Sequence, residues 1–512
     1  MSGGLRNMAR LLGLARTLAR HDVLSPLRQV PGGGLIAGLG KLLARPKGEG
    51  RIGERLARAC VELGPSFIKL GQVLSTRSDL LGEEMAGDLS ALQDRLDPFS
   101  GHEARATIEV ELGVPLEEVF SQFDDVALAA ASIAQVHLAT TSDGREVVVK
   151  ILRPGVGEAF ARHLDLFYWL ARLVERNRPE LRRLKPVEVI RAFEETVRLE
   201  MDLRLEAAAA EELAENFAEE PLFNVPEIDW GRTARRVLTL ERVRGIPIDQ
   251  REKLIEAGLD PDEVLRTMAG AFFNQVFRDG FFHADLHPGN IFVGEDGSIL
   301  VVDFGIMGRL DRSTRLYLGE MLMSFLIRDY QRVAEVHFEA GYVPPDKSVQ
   351  AFTQACRSIA EPILDKPQNE ISFARLMAHL FQVTETFEME TQPQLLLLQK
   401  TMLVAEGVGR KLCPEANMWF LVQPLVEAWV VDNLGPEARI TQMRDSVADG
   451  LKRLPGIVSD IENSASAFAR GGVKLHPDTL RQINAAGSHG RPIPSGVYLG
   501  VILLLMLALI LV

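Results

Sequence analysis

Cysteine is scarce: Cys60, Cys356 and Cys413 are the only three in 512 residues. They are too far apart for a disulfide framework or a sequence-local metal-ligand set, which points to a reducing compartment. Net positive charge is missing too. The chain carries -13 at pH 7, which argues against nucleic acid as a partner, because nucleic-acid-binding surfaces are basic. The N-terminus lacks an apolar stretch followed by a small-residue cleavage site, so it is not a secretory signal. No internal repeat is present. The length allows about three domains, or one large two-lobed body, with ample core.

The charge is unevenly spread. The first fifty residues carry Arg6, Arg10, Arg16, Arg20, Arg28, Lys41, Arg45 and Lys47 against only Asp22 and Glu49. "MARLLGLARTLARHDVL" alternates Leu and Arg at helical spacing. It reads either as a transit peptide or as a basic amphipathic helix lying on an anionic membrane. At the other end "SGVYLGVILLLMLALILV", Ser495 to Val512, contains no charge. A helix of that length covers roughly 27 Å, enough for the hydrocarbon core. A buried core helix would keep a polar stripe, so a transmembrane helix is expected. Arg470, Lys474, Arg481 and Arg491 precede it, and the positive-inside rule then keeps the main body cytoplasmic or on the matrix side. The two termini together favour a bacterial inner membrane over a mitochondrial one.

Between these ends the hydrophobic period changes several times. Residues 49–124 read as helices with a break at Gly64-Pro65. "IAQVHLATTSDGREVVVKIL" reads as a hairpin around Thr-Ser-Asp-Gly. "PVEVIRAFEETVRLEMDLRLEAAAAEELAENF" reads as one long helical stretch, and "RRVLTLERVRGIPI" as strand-like. "NIFVGEDGSILVVDFG" is a second hairpin, turning at Gly-Glu-Asp-Gly. From about 312 to 450 the pattern is helical. The expected organisation is α+β, a protein-kinase-like two-lobed fold. A basic arm (1–48) and a helical extension (49–124) precede a β-rich N-lobe (125–245) and a helical C-lobe (246–450). A linker (451–494) leads into the membrane helix (495–512).

"FFHADLHPGN" concentrates the chemistry. Asn290 follows Asp285 by five residues, and Asp303, in "VVDFG", follows Asn290 by thirteen. Phosphoryl transfer needs one aspartate to orient the acceptor hydroxyl or water, and an asparagine and a second aspartate to hold Mg²⁺ against the phosphates. A hairpin between Asn290 and Asp303 brings both metal ligands to one edge. The bland reading of "HADLHPGN" is a polar turn. Zinc held by His283 and His287 would need a helix, which Pro288 and Gly289 oppose.

Upstream, "VVVK" places Lys150 at the end of an apolar strand, where a lysine is commonly just solvated at the strand edge; in a kinase lobe it reaches the phosphates and pairs with a helix glutamate. Glu200, Asp202 and Glu206 are the candidates. On one continuous helix, Glu200 and Glu206 lie roughly 120° apart and do not share a partner. Two glutamates on different faces imply two lysines, the second being Lys69 in "FIKLGQ"; Lys150 is expected to pair with Glu206 and Lys69 with Glu200. The alternative is a solvated charged face. Where a kinase has its Gly-rich nucleotide loop, this chain reads "LAAASIAQV". Alanine forbids the left-handed conformations that glycine supplies, and alone this run would be read as helix.

"FIKLGQ" with "STRSDLL", "AAASIAQVH", "VVVK", "EMDLRLEA", "HADLHPGN" and "DFG" resemble the motif set of the UbiB/ADCK/ABC1 atypical kinase-like family, over roughly residues 50–440. The resemblance implies an ATP- and Mg²⁺-dependent enzyme supporting ubiquinone biosynthesis at the membrane, with ATPase-like rather than protein-kinase activity. Implied partners are a membrane lipid or quinone precursor and other ubiquinone-biosynthesis proteins. By the same resemblance the KxGQ motif falls on Lys69, Gly71 and Gln72. The nucleotide loop falls on Leu128, Ala129, Ala130, Ala131, Ser132, Ile133, Ala134, Gln135 and Val136. Lys150 is the phosphate lysine, Glu200 and Glu206 the acidic helix positions, Asp285 and Asn290 the catalytic loop, and Asp303 the metal aspartate. In this family the KxGQ helices are expected to cover the site where a protein substrate would dock.

This chain has one hydrophobic tail segment where bacterial UbiB proteins often have two. Small-molecule phosphotransferases of the aminoglycoside or choline kinase type share the H-x-D-x-H-x-x-N loop but lack "FIKLGQ" and the alanine loop. A non-catalytic nucleotide-binding scaffold is the other alternative, opposed by the intact Asp285, Asn290 and Asp303. Ordinary protein-kinase activity is disfavoured: no Arg precedes Asp285, and no Ala-Pro-Glu follows "DFG".

Overall fold

The structure, a computed structural model, describes Arg10, Leu92, residues 13–23, 50–75, 83–90, 97–177 and 186–363, and most of 379–435. The expected membrane helix at 495–512 and the linker before it lie outside the described residues. Among the described residues, no helix is long and apolar enough to cross a membrane.

Helices α1 (Ile52–Leu63) and α2 (Pro65–Ser75) are separated by Gly64, whose φ of 95° suits only glycine. Helix α3 (Glu83–Ser90) packs across both, and the Arg51–Asp88 ion pair ties it to the start of α1. A helical stretch over 13–20 lies on the same core. Leu14, Leu18, Ala19 and Val23 are buried among Leu56, Ala59 and Phe67, and Arg20–Glu62 (2.6 Å) and Arg55–Asp22 (2.8 Å) pin its edges. Of the apolar residues in "MARLLGLARTLARHDVL", the described Leu14, Leu18, Ala19 and Val23 thus pack in the protein's own core.

Helix α4 (Gly101–Leu112) opens with a capping box, the Ser100 hydroxyl accepting from Glu103 N–H and the Glu103 carboxylate accepting from Ser100 N–H. A short α5 (Leu116–Val119) leads into strand β1 (Phe120–Phe123). The last residues of the segment read as helical are therefore a strand. β1 pairs with β3 (Ala134–Thr141), which also carries β2 (Ala129–Ala130) and pairs with β4 (Glu146–Leu152). The expected hairpin is present, turning through Gly144 at φ 90°. The two faces of β4 have different uses. Val147, Val149 and Ile151 pack on Ala104 and Ile108 of α4, whereas Val148 and Leu152 join the core of the N-terminal helices.

Helices α6 (Val156–Asn177) and α7 (Pro186–Glu200) pack together, and α8 (Leu203–Asn216) follows α7 after a break. The single long helix expected here is two. The Asp202 side chain accepts from Arg204 N–H as the N-cap of α8, which ends α7 at Glu200. Strand β5 (Phe223–Asn224) precedes β6 (Val237–Glu241), which completes the antiparallel N-lobe sheet beside β4, and β7 (Ile246–Pro247) belongs to the next sheet.

The C-lobe begins with α9 (Arg251–Glu256) and α10 (Pro261–Phe273). It continues through a π-helical turn, Asn274–Asp279, into β8 (Phe281–His283). β9 (Ile291–Val293) and β10 (Ile299–Val301) form the second expected hairpin, in a four-stranded sheet ordered β5-β10-β9-β7. β11 (Met307–Arg309) pairs with β8. Helices α11 (Arg312–Leu326), α12 (Tyr330–Glu339), α13 (Val349–Ala360), α14 (Pro393–Leu412) and α15 (Met418–Leu434) make the lobe's body. All three cysteines are buried as free thiols, and burial pushes each up to about 12.

Two fully buried histidines lie on strands, His137 within β3 and His283 at the end of β8. His137 accepts from the Gln135 amide at Nε2 and donates from Nδ1 to Asp124 O. His283 donates from Nε2 to Val302 O and accepts Asp285 N–H at Nδ1. Each ring is thus satisfied only when neutral, and burial lowers both pKa values below the ordinary histidine value. Above the unfolded-state value of about 6.5 the folded and unfolded rings are both neutral, and the contribution is fully present. Below it the unfolded chain binds more protons, and stability drops by up to about 1.4 kcal/mol per pH unit for each ring. Thermal unfolding at pH 5.5 should therefore occur well below that at pH 7.5. An unchanged Tm would show that neither ring is held neutral.

Candidate active site

Lys150 lies inside a central strand, not at its edge: β4 is flanked by β3 and β6, and Lys150 faces Val136 on one side and Leu238 on the other. Its Nζ stands 2.7 Å from Glu206 Oε1 and 2.9 Å from Asp303 Oδ1. Glu206 is in the first turn of α8 and 8% exposed, so its carboxylate is held close to the sheet. Burial opposes the lysine's charge, but Asp303 and Glu206 outweigh it and raise the ammonium's pKa. Lys150 in turn holds Asp303 far below the usual carboxylate range, helped by Lys69. Glu206 moves the other way, raised chiefly by burial.

Asp303 sits at φ 63°, one of few non-glycine residues in the left-handed region among the described residues. Aspartate tolerates that conformation better than most residues, at a cost of order 1 kcal/mol. The turn places the carboxylate on Lys150 directly after β10. Asn290 is fixed to the same place from the other strand of the hairpin. Its carbonyl accepts Val302 N–H (3.0 Å), and its Nδ2 donates to Asp285 O (3.1 Å), which leaves Oδ1 for a cation.

The turn carrying Asp285 is held from below. Gln275, 1% exposed within the π-helical turn, accepts His283 N–H with its Oε1. π-turns often mark functional positions, and here the turn aims Gln275 at β8. His287 Nδ1 accepts Gly289 N–H, so both histidines of "HADLHPGN" serve the loop itself.

The second lysine is equally placed. Lys69 Nζ lies 2.9 Å from Glu200 Oε2, both side chains 11% exposed. Gly71 allows the helix to approach its neighbours closely, since a Cβ there would stand 2.4 Å from Leu92 Cδ1. Gln72 reaches Leu92 O at 3.5 Å. The alanine run forms a tight hairpin, not a helix. Ala129 and Ala130 pair with Val136 and Gln135, and Leu128 N–H and Ala131 N–H donate to Val136 O and Ala134 O. No residue of this loop has positive φ. It is held instead by Arg153, whose Nε and Nη2 both donate to Ala131 O, and by Gln135, which exchanges hydrogen bonds with the backbone of Phe99. Arg153, Gln275 and the 97–99 segment carried no motif in the sequence.

The residues present fit a nucleotide with Mg²⁺. Asn290 and Asp303 supply hard oxygen donors, as that cation requires. Ser132 Oγ, buried in the loop without a hydrogen-bond partner, is an unspent polar group for a phosphate. Among the described residues, no cluster of three His, Cys, Asp or Glu side chains forms a separate metal site.

Residues 91–337 match the ABC1 atypical kinase-like domain, and residues 356–417 the UbiB helical domain. A relative named "Probable protein kinase UbiB" from Marinobacter nauticus is 44% identical over 407 residues, covering 79% of this chain and 74% of that one. One from Azotobacter vinelandii, of the same name, is 44% identical over 432 residues, covering 84% and 80%. Among solved structures, the complex of Rv3197 with erythromycin from Mycobacterium tuberculosis is 28% identical, with a TM-score of 0.47. It covers 71% of this chain and 92% of that one.

Removing one member of the Lys69–Glu200 pair strands the other in a nearly buried place. Lys69→Met should lower the unfolding free energy by roughly 3 kcal/mol, the lower end of the range for buried pairs. Lys69→Met with Glu200→Leu should recover most of that in a double-mutant cycle followed by denaturant unfolding. Additive losses would show that the two side chains do not depend on each other.

Proposed function

The chain belongs to the UbiB family of ABC1 atypical kinase-like proteins, and on that premise we propose that it is an ATP-dependent atypical kinase or ATPase supporting ubiquinone biosynthesis at a membrane. The observation that carries the reading is the shared lysine: Lys150 bonds both Glu206 of the N-lobe and Asp303 of the C-lobe. A structural ion pair needs one carboxylate. A lysine poised between a helix glutamate and a metal-binding aspartate is the arrangement phosphoryl transfer requires.

In this reading Lys150, steadied by Glu206, binds the phosphates under the Leu128–Val136 hairpin. Asn290 and Asp303 hold Mg²⁺, which neutralises charge on the phosphates when bound. Asp285 orients the acceptor hydroxyl or water and takes its proton. The covering helix α2 is tied to this machinery through Lys69 and Glu200. That connection favours the atypical kinase over a small-molecule phosphotransferase of aminoglycoside or choline kinase type, which has no such helix.

A membrane lipid or quinone precursor is the proposed substrate class, reached from the cytoplasmic face of a bacterial inner membrane. The uncharged segment from Ser495 to Val512, with basic residues ahead of it, is the proposed anchor.

Asp303→Asn should abolish Mg²⁺-dependent ATP binding with the fold intact, read as loss of the nucleotide-induced rise in Tm. An undiminished rise with Mg²⁺ present would overturn the assignment. Deleting Val497–Val512 should move the protein from the membrane fraction to the soluble one. If the truncated protein still resists high-salt extraction, the anchor is elsewhere.

A further inference from the structure

Asp285 faces a cation that the reading above does not use. Lys400 Nζ stands 3.4 Å from Asp285 Oδ1, although the two are 115 residues apart. Lys400 belongs to α14, within the segment that matches the UbiB helical domain, whereas Asp285 belongs to the kinase-like domain. Among the described residues it is the only cation in salt-bridge reach of Asp285. Lys150 and Lys69 are engaged by Glu206, Asp303 and Glu200.

The pair is not what docks the helix. Leu398, Ala405, Val408 and Leu412, spaced at helical intervals, bury α14 against the C-lobe core. Lys400 and Asp285 are 36% and 33% exposed, and an ion pair so open to solvent stabilises little. The lysine therefore lies at the accessible side of the catalytic loop, where a reacting group would approach.

Resting on the proposed phosphoryl-transfer reading, we propose that Lys400 is a positioning residue for that step. Its ammonium holds the Asp285 carboxylate in one orientation and offsets the repulsion between that carboxylate and the incoming phosphoryl group. In the step, the bond from the γ-phosphorus to its bridging oxygen breaks and the electron pair leaves with ADP. A bond forms from phosphorus to the acceptor oxygen, and the acceptor's proton passes to Asp285. Two negative groups must meet there, and a preorganised positive charge lowers the barrier to their meeting. The helical domain then takes part in the chemistry as well as in the fold.

The test uses the full chain with MgATP as the probe, reading binding by thermal shift and turnover by phosphate release. Lys400→Met should bind MgATP within about threefold of wild type and lose kcat by about 10- to 100-fold, with KM nearly unchanged. Lys400→Arg should restore most of the rate, which a lysine that merely packs would not require. Lys400→Gln keeps a polar side chain without the charge, and serves if the methionine variant does not fold; the same loss is expected. A kcat within twofold of wild type in the uncharged variants overturns the inference alone. A wild-type chain that binds no MgATP overturns the functional reading and this inference with it.

Discussion

Lys150 must lie within hydrogen-bond reach of two carboxylates at once, and much of the architecture answers to that requirement. The lysine comes from β4, Glu206 from the first turn of α8, and Asp303 from the turn after β10. Three elements from two lobes thus converge on one ammonium. Each has its own local device. β4 is central in its sheet, α8 starts at the Asp202 cap, and Asp303 takes a left-handed conformation. A nearly buried lysine with two acidic neighbours keeps its charge, and Asp303 keeps its own as a consequence.

The nucleotide loop shows what replaces glycine. A Gly-rich loop owes its shape to backbone freedom, whereas the alanine hairpin is shaped by partners outside it. The Arg153 guanidinium grips Ala131 O, and the buried Gln135 amide joins the loop's second strand to Phe99. Arg153 also donates to Asp97 O, so the segment before α4 and the loop are bound into one unit. Such a loop is stiffer than a glycine loop, because moving it breaks several hydrogen bonds at once.

The motifs around Asp285 and Asp303 were legible because their pattern is local. "HADLHPGN" and "VVDFG" flank a hairpin whose turn residues announce it, so Asn290 and Asp303 had to share one edge. The assignment of Lys150 to Glu206 and Lys69 to Glu200 agrees with the observed contacts, but the argument for it does not. It assumed a continuous helix, and the chain breaks at Met201–Asp202, so the two glutamates sit on two helices. An aspartate inside a charged helical run looks like any other solvated residue until its side chain is seen capping. The alanine run, helical if read alone, is a hairpin because alanine's helix preference is weak and pairing with β3 outweighs it.

What the sequence by itself determined is the set of groups whose position follows from short-range rules: the two hairpins, the helix break at Gly64, and the carboxylates and amide around the catalytic turn. These rest on backbone stereochemistry and side-chain alternation, which act over a few residues. Tertiary structure decided the rest. That Leu14, Leu18, Ala19 and Val23 would be covered by Leu56, Ala59 and Phe67 was not legible in their spacing. Gln275 became a support for His283, and Lys400 a neighbour of Asp285, through packing across 8 and 115 residues. Hydrophobic burial is non-directional, so a pattern of apolar residues specifies that a face is covered but not by what.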